Sequence, residues 1–286
     1  VNAVNGVATF TTLQLTGSGA HTLQFATTTP ALTVVSSSLT IGAGAATQLA
    51  ITTQPAGAVS GVAFTTQPVI AIRDASNNLT SSTAAVTVAI ASGTGTLSGT
   101  TTVNAVNGVA TFTNLQLAGS GAHTLTFTST GLTAATSASL SVTQVAASLQ
   151  VQTQPAGAAS GVAFTTQPVV RILDNAGLVV TTGTGATLTV TAAIASGTGT
   201  IGGTITAVAS NGVATFTSLA ITGTGDHTLQ FSTTTPALTT TSAVVSVPAL
   251  DLSDASASAS GSTLASLVRR ASARTPATER HAEGPR

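Results

Sequence analysis

Short runs in which apolar and polar residues alternate recur along most of the chain. In HTLTF, His123, Leu125 and Phe127 take every second position. That spacing puts the three side chains on one face of an extended strand and the intervening threonines on the other. Gly, Asn, Ser and Pro clusters separate the runs and mark turns. In the middle of the chain the pattern predicts strands over residues 48–53, 68–73, 84–91, 96–103, 109–117, 123–128 and 138–143. Seven short strands in a stretch of about 100 residues predict an immunoglobulin-like Greek-key β-sandwich rather than a barrel.

The pattern repeats. QPAGAVSGVAFTTQP starts at Gln54 and returns as QPAGAASGVAFTTQP at Gln154, a shift of 100, while IASGTGT moves from Ile90 to Ile194, a shift of 104. A solenoid would repeat every 20–45 residues or so. VNAVNGVATF opens the chain at Val1 and recurs unchanged at Val103, with AVASNGVATF at Ala207. The expected organisation is therefore the C-terminal half of a sandwich over 1–44, with three strands, then complete units over 45–143 and 144–247. A Ser/Ala/Arg-rich tail follows over 248–286, either disordered or with one short helix on Leu264, Leu267, Val268 and Ala271. Only a few residues link one unit's last apolar strand position to the next unit's first, which predicts a semi-rigid rod.

Every aromatic is a repeat position. Phe64, Phe112 and Phe127 match Phe164, Phe216 and Phe231, and Phe10 and Phe25 match in the leading half-unit. These eight are expected to pack in the cores, each contributing about 1.5–3 kcal/mol when buried.

Composition narrows the chemistry. Charged residues are 5% of the chain, Cys is absent and the formal net charge is zero. Low charge with abundant apolar residues is the opposite of a disordered composition. Neutrality removes a basic footprint for nucleic acid, no apolar run is long enough to span a bilayer, and no signal peptide is visible. Without an initiator Met, the natural product is expected to be longer, with any targeting segment upstream.

The succession TTQP, GVAFTTQPV, D-x-x-x-N or D-N-A-G, TLSGTTTVNAVNGVATF and G-x-H-T-L resembles the tandem bacterial immunoglobulin-like repeats of large surface and secreted proteins, the invasin–intimin type. The resemblance spans 1 to about 247. It implies serial sandwiches outside a bacterial cell, and no particular ligand. Repeats of this type commonly carry an aromatic, often Tyr, where this chain has His21, His123 and His227.

Each His is read as a structural corner residue, its ring bonded to nearby backbone as a Tyr hydroxyl would be in a tyrosine corner. One His per unit without a second ligand argues against a metal. Asp74 and Asp174 follow the second strand and read as turn caps; calcium would need several more oxygens. Asp226 beside His227 points to the opposite strand face, so no triad is expected. Gly197, Gly199 and Gly202 fit G-x-G-x-x-G, but a strand pattern follows where a nucleotide site needs a helix. Asn78-Leu79-Thr80 is a lone glycosylation sequon, read as chance, and outward Thr and Ser leave O-linked sugars open.

No cofactor, metal or catalytic constellation is expected. The leading expectation is a non-catalytic structural protein, a stalk or filament at the bacterial surface. Only two Arg, and no Lys, precede residue 250, which suits resistance to trypsin-like proteases. The alternative is an adhesin or carbohydrate-binding module that binds a glycan or cell-surface ligand through loops at one end of a unit or Thr-rich strand faces, with the longer stretch between Asp174 and Ile194 as the candidate loop. Phe10, Leu13, Leu15, Leu23 and Phe25 form the candidate assembly face of the half-unit. Either a longer repeat array precedes it, or a neighbouring subunit completes it by strand addition in a homo-polymer.

Overall fold

The computed structural model describes residues 1–249. The helix expected in the tail lies outside them. Within them the chain is all-β, and the one helical segment is the 3-10 turn Thr184–Thr187.

Two layers form in the repeat over 45–143. Strands Ala46–Thr53, Val69–Asp74 and Val109–Thr111 make an antiparallel sheet with Val69–Asp74 at its centre. The facing sheet runs Thr102–Asn104, Ala85–Ser92, Gly121–Thr128, Leu140–Thr143 and Ala58–Val59, antiparallel except for its last pair. Alternation places Ile70, Ile72, Val86, Val88, Leu125 and Phe127 between the layers, where all are buried. The repeat over 144–247 is built the same way. Its three-stranded sheet is Ser148–Thr153, Val169–Leu173 and Val213–Thr215, and its larger sheet centres on Thr189–Ser196 and Gly225–Ser232. Each repeat has its own core, from Leu49 to Val142 in the first and from Ala146 to Val247 in the second. The molecule is thus a tandem of immunoglobulin-like sandwiches.

The aromatics pair across each core. Phe112 and Phe127 have ring centroids 5.6 Å apart with planes tilted by 57°, and Phe216 and Phe231 are 5.4 Å apart at 48°. Tilted pairs at this spacing contribute about 0.5–1.5 kcal/mol beyond burial alone. Phe64 and Phe164 are buried in the same cores.

Two expected strands, over 96–103 and 109–117, are each split in two. Gly95–Ser98 pairs with Gln116–Gly119, whereas Thr102–Asn104 joins Ala85–Ser92 and Val109–Thr111 joins Val69–Asp74. The chain changes partners partway along each run, and a local period of two carries no information about partners. The turn between the two split runs is Asn107-Gly108, with φ of 49° and 78°. Two consecutive positive φ values make the primed hairpin turn that matches strand twist. Asn211-Gly212 and Asn5-Gly6 take the same conformation, which accounts for the recurring NGVATF.

The glutamines of the repeated TTQP motif act as backbone substitutes beside prolines that lack an N–H. Gln67 donates from Nε2 to the Phe64 and Leu115 carbonyls at 3.1 and 3.0 Å, and its Oε1 accepts from Leu115 N at 2.9 Å. Gln167 makes the same three bonds to Phe164 and Leu219.

Residues 1–44 differ from expectation. Four short strands are present, Gly19–His21, Gln24–Thr28, Ala31–Val35 and Leu39–Ile41, while Val1–Leu15 forms no strand and carries only the Val4–Val7 bridge. Its counterparts Val109–Thr111 and Gln116–Gly119 depend on Val69–Asp74 and Gly95–Ser98, and residues 1–44 contain no equivalents of those partners.

A Cβ on Gly108 would meet the Thr80 carbonyl oxygen at 2.0 Å, whereas one on Gly6 meets nothing within 4 Å. Both substitutions share the positive-φ strain, of order 1–3 kcal/mol. Thermal unfolding of G108A should show a larger drop in Tm than that of G6A. Equal losses would mean the Thr80 contact is unimportant.

Candidate functional site

Among the described residues the only carboxylates are Asp74, Asp174 and Asp226. The first two occupy equivalent positions, each at the point where one repeat hands over to the next. Asp74 ends the central strand of the smaller sheet and Asp174 directly follows it.

Asp74 is 4% exposed. Its Oδ1 accepts the backbone N–H of Ser76 at 2.9 Å and of Asn78 at 2.8 Å, closing the turn. Its Oδ2 accepts Asn78 Nδ2 at 3.0 Å and, from the linker 30 residues earlier, the N–H of Gly44 at 2.8 Å. Asp174 repeats the scheme, with Oδ1 accepting from Ala176 N and Leu178 N, both at 2.9 Å. Here the linker donor is a side chain: Gln144 Nε2 reaches Asp174 Oδ2 at 2.9 Å. Gln144 also donates to the Val179 carbonyl at 3.0 Å and accepts from Thr181 N at 3.0 Å. Gly44 and Gln144 are equivalent residues, each 30 before its Asp. Each carboxylate therefore closes its own turn and holds the incoming linker.

The Asn78 side-chain amide chiefly lowers the Asp74 pKa below the ordinary aspartate value of 3.8; burial opposes this, and the N–H groups of Asn78, Gly44 and Ser76 add to the lowering. A depressed folded-state pKa means that this stabilisation is present above the unfolded value and is lost as pH falls through the folded one.

Direct packing between repeats reinforces the clasp. Gly61 in the first repeat has φ +72°, and a Cβ there would lie 2.5 Å from Ala176 N and 2.7 Å from Asn175 C of the second. Only a glycine allows this approach. Thr94, Gly95 and Thr96 face Ala176, Leu178 and Thr181 across a shallow groove beside the contact.

The other singled-out residues lie elsewhere. His123 and His227 are 1% and 0% exposed, on the buried faces that also carry Leu125 and Phe127, and Leu229 and Phe231. Their Nδ1 atoms lie 3.0 and 2.9 Å from the carbonyls of Gly121 and Gly225. His21 is half-buried. Phe10, Leu13 and Leu15 are exposed by 44%, 58% and 38%, and Leu23 and Phe25 are half-buried; Phe10 and Phe25 stack at 5.1 Å. Asp226 is exposed. In the sequon, Thr80 is buried and donates to the Ile72 carbonyl at 3.0 Å, and Asn78 is held by Asp74. Gly202 ends strand Thr200–Gly202, and no helix opens at the three glycines. In the long stretch within 177–187, Val180 and Ala186 anchor in the core, while 177–178, 181–184 and 187 are exposed. Among the described residues no three His, Cys, Asp or Glu side chains come together to hold a metal, and no helix is long and apolar enough to cross a membrane.

Sequence reasoning overlooked Gly44, Gln144 and Gly61. The signal lay in the self-alignment, where Gly44 and Gln144 stand at one offset from their aspartates, but only the folded junction shows what they bind.

Two outcomes follow. Asp74→Ala should speed hydrogen exchange at the Gly44 amide, and in the parent chain that protection should persist to below about pH 3.8; protection unchanged in the variant would remove the clasp from the account. G61A and G161A share φ +72° and so share local strain, but a Cβ on Gly161 meets only Thr222 Oγ1, at 3.7 Å. Small-angle scattering should therefore show altered inter-repeat geometry for G61A and not for G161A.

No family model matches the chain, and no curated protein matches it in sequence. Solved structures similar to it include the D00–D0 domains of intimin, at 13% identity over 71% of this chain and 99% of that one, with a TM-score of 0.38. Domains 5–6 of the S-layer protein SbsC are 18% identical over 72% of this chain and 99% of theirs, with a TM-score of 0.27. The Yersinia pseudotuberculosis adhesin InvE is 18% identical over 70% of this chain and 58% of its own, with a TM-score of 0.30. The fold assignment itself rests on the strand pairing and the two cores described above.

Proposed function

We propose that the protein is a non-catalytic extracellular structural protein whose serial sandwiches form a stalk or filament at a bacterial surface. The observation that carries this reading is the clasped junction. The carboxylates at Asp74 and Asp174, in a chain almost free of charge, are spent on fixing the linker that leads into each repeat. Short linkers and a glycine contact do the same. Reach and stiffness are then the output of the fold, because strand ladders keep each unit rigid and the clasps restrict bending between units.

The two arginines of the repeats also suit an exposed fibre. Arg73 Nη1 donates to the Asn77 carbonyl at 2.7 Å and Arg171 Nε to Gln152 Oε1 at 2.7 Å, both from within strands. Trypsin therefore finds no free basic loop among the described residues. The open face at Phe10, Leu13, Leu15, Leu23 and Phe25 is, in this reading, where the chain joins another. In this reading a neighbouring subunit supplies the strands that match Ala45 to about Gly99.

Electron microscopy of the purified chain should show straight rods or regular polymers of stacked units, and limited trypsin digestion should leave a fragment spanning both complete repeats. Units collapsed on one another, or rapid cleavage at Arg73 or Arg171, would overturn the proposal. A glycan-array signal lost on trimming 177–187 would instead favour an adhesin.

A further inference from the structure

The three corner histidines share a strand position and differ at Nε2. In the first complete repeat, His123 Nε2 lies 2.9 Å from the Thr94 carbonyl oxygen while Nδ1 lies 3.0 Å from the Gly121 carbonyl. Two carbonyls cannot donate, so both contacts are hydrogen bonds only when both ring nitrogens carry protons. In the second repeat, Nδ1 again meets a carbonyl, that of Gly225 at 2.9 Å, but Nε2 accepts the N–H of Gly199 at 3.0 Å. That arrangement fits the neutral ring with its proton on Nδ1.

Thr94 and Thr198 are equivalent, as are Gly95 and Gly199. The Thr94 carbonyl and the Gly95 N–H belong to one peptide group, so the two repeats present opposite ends of the same peptide to the ring. The adjoining hairpin differs with it. Its ladder reaches the Gly95–Gly119 pair in the first repeat and stops one pair short, at Thr200–Thr222, in the second. In the leading half-unit, which lacks a counterpart of this peptide, His21 Nε2 is buried without a partner.

We propose that this histidine and peptide form a proton-driven switch, with the two repeats displaying its two positions. In the neutral state Nε2 accepts from the Gly95 or Gly199 N–H. When a proton from solvent binds Nε2, the new N–H donates to the Thr94 or Thr198 carbonyl, and the peptide turns over to present it. Among the described residues, the strands around each ring bring no other titratable group to it. Strands Ala85–Ser92, Gly95–Ser98, Gln116–Gly119 and Leu140–Thr143 around His123 contain none, nor do Thr189–Ser196, Thr200–Gly202, Ala220–Thr222 and Val245–Val247 around His227. Asp226 points to the opposite face of its strand, and Asp174 is engaged across the groove by its own turn and by Gln144. Because Thr94 and Gly95 line that groove against the second repeat, the switch in the first repeat changes the polar group offered at the junction, linking acidity to the geometry of the rod.

The test is a pH titration of the full chain by NMR, between about pH 8 and pH 4, with histidine and glycine labelled with nitrogen-15. The Gly95 and Gly199 amide signals should shift with the same midpoints as the Nε2 signals of His123 and His227 respectively. In H123Q and H227Q, which keep polar contacts without a titrating ring, the corresponding glycine shift should vanish while the other repeat still responds. Ring titration that leaves both glycine amides unmoved would overturn the proposal, as would rings that keep one protonation state across the range in the folded chain.

Discussion

A peptide group that leaves water must find another partner, and leaving one buried without it costs about 1–3 kcal/mol. This chain meets that demand with almost no charge and few aromatics. Strand pairing satisfies most of the backbone, and short polar side chains take the places where pairing fails. Gln67 and Gln167 close the gaps beside prolines. Ser137 and Ser242 receive the N–H of Leu125 and Leu229 at 2.9 and 3.0 Å in the middle of the longest strands. Asp74 and Asp174 do the same for turns and linkers, and the histidines for a loop peptide. Several of the polar positions that repeat stand in for a missing backbone partner.

The repeat also acts as an internal control, because near-identical sequences sit in different surroundings. NGVATF forms a strand at Val109–Thr111 and at Val213–Thr215, and forms none after Asn5. Its Phe still stacks on its partner in all three places. Side-chain contact between neighbouring runs thus survives without the sandwich, while strand order depends on partners from the other half. Ser60 is fully buried and the equivalent Ser160 is exposed; the difference is the repeat that packs after the first.

The sequence by itself determined the class of fold, the repetition and the burial of alternate residues, because each rests on a spacing of two along the chain or of about 100 between copies. His123, Leu125 and Phe127 could be placed on one face from their spacing alone. A turn-capping role for Asp74 was legible too, since its turn partners are within four residues. Only the tertiary structure decided how 96–103 and 109–117 divide between sheets, that the aspartates also grip linkers 30 residues away, and that Gly61 lies against the next repeat. It alone also set opposite ends of one peptide against His123 and His227. Those contacts join residues far apart in the chain, and local alternation fixes which face a side chain occupies without fixing what waits opposite it.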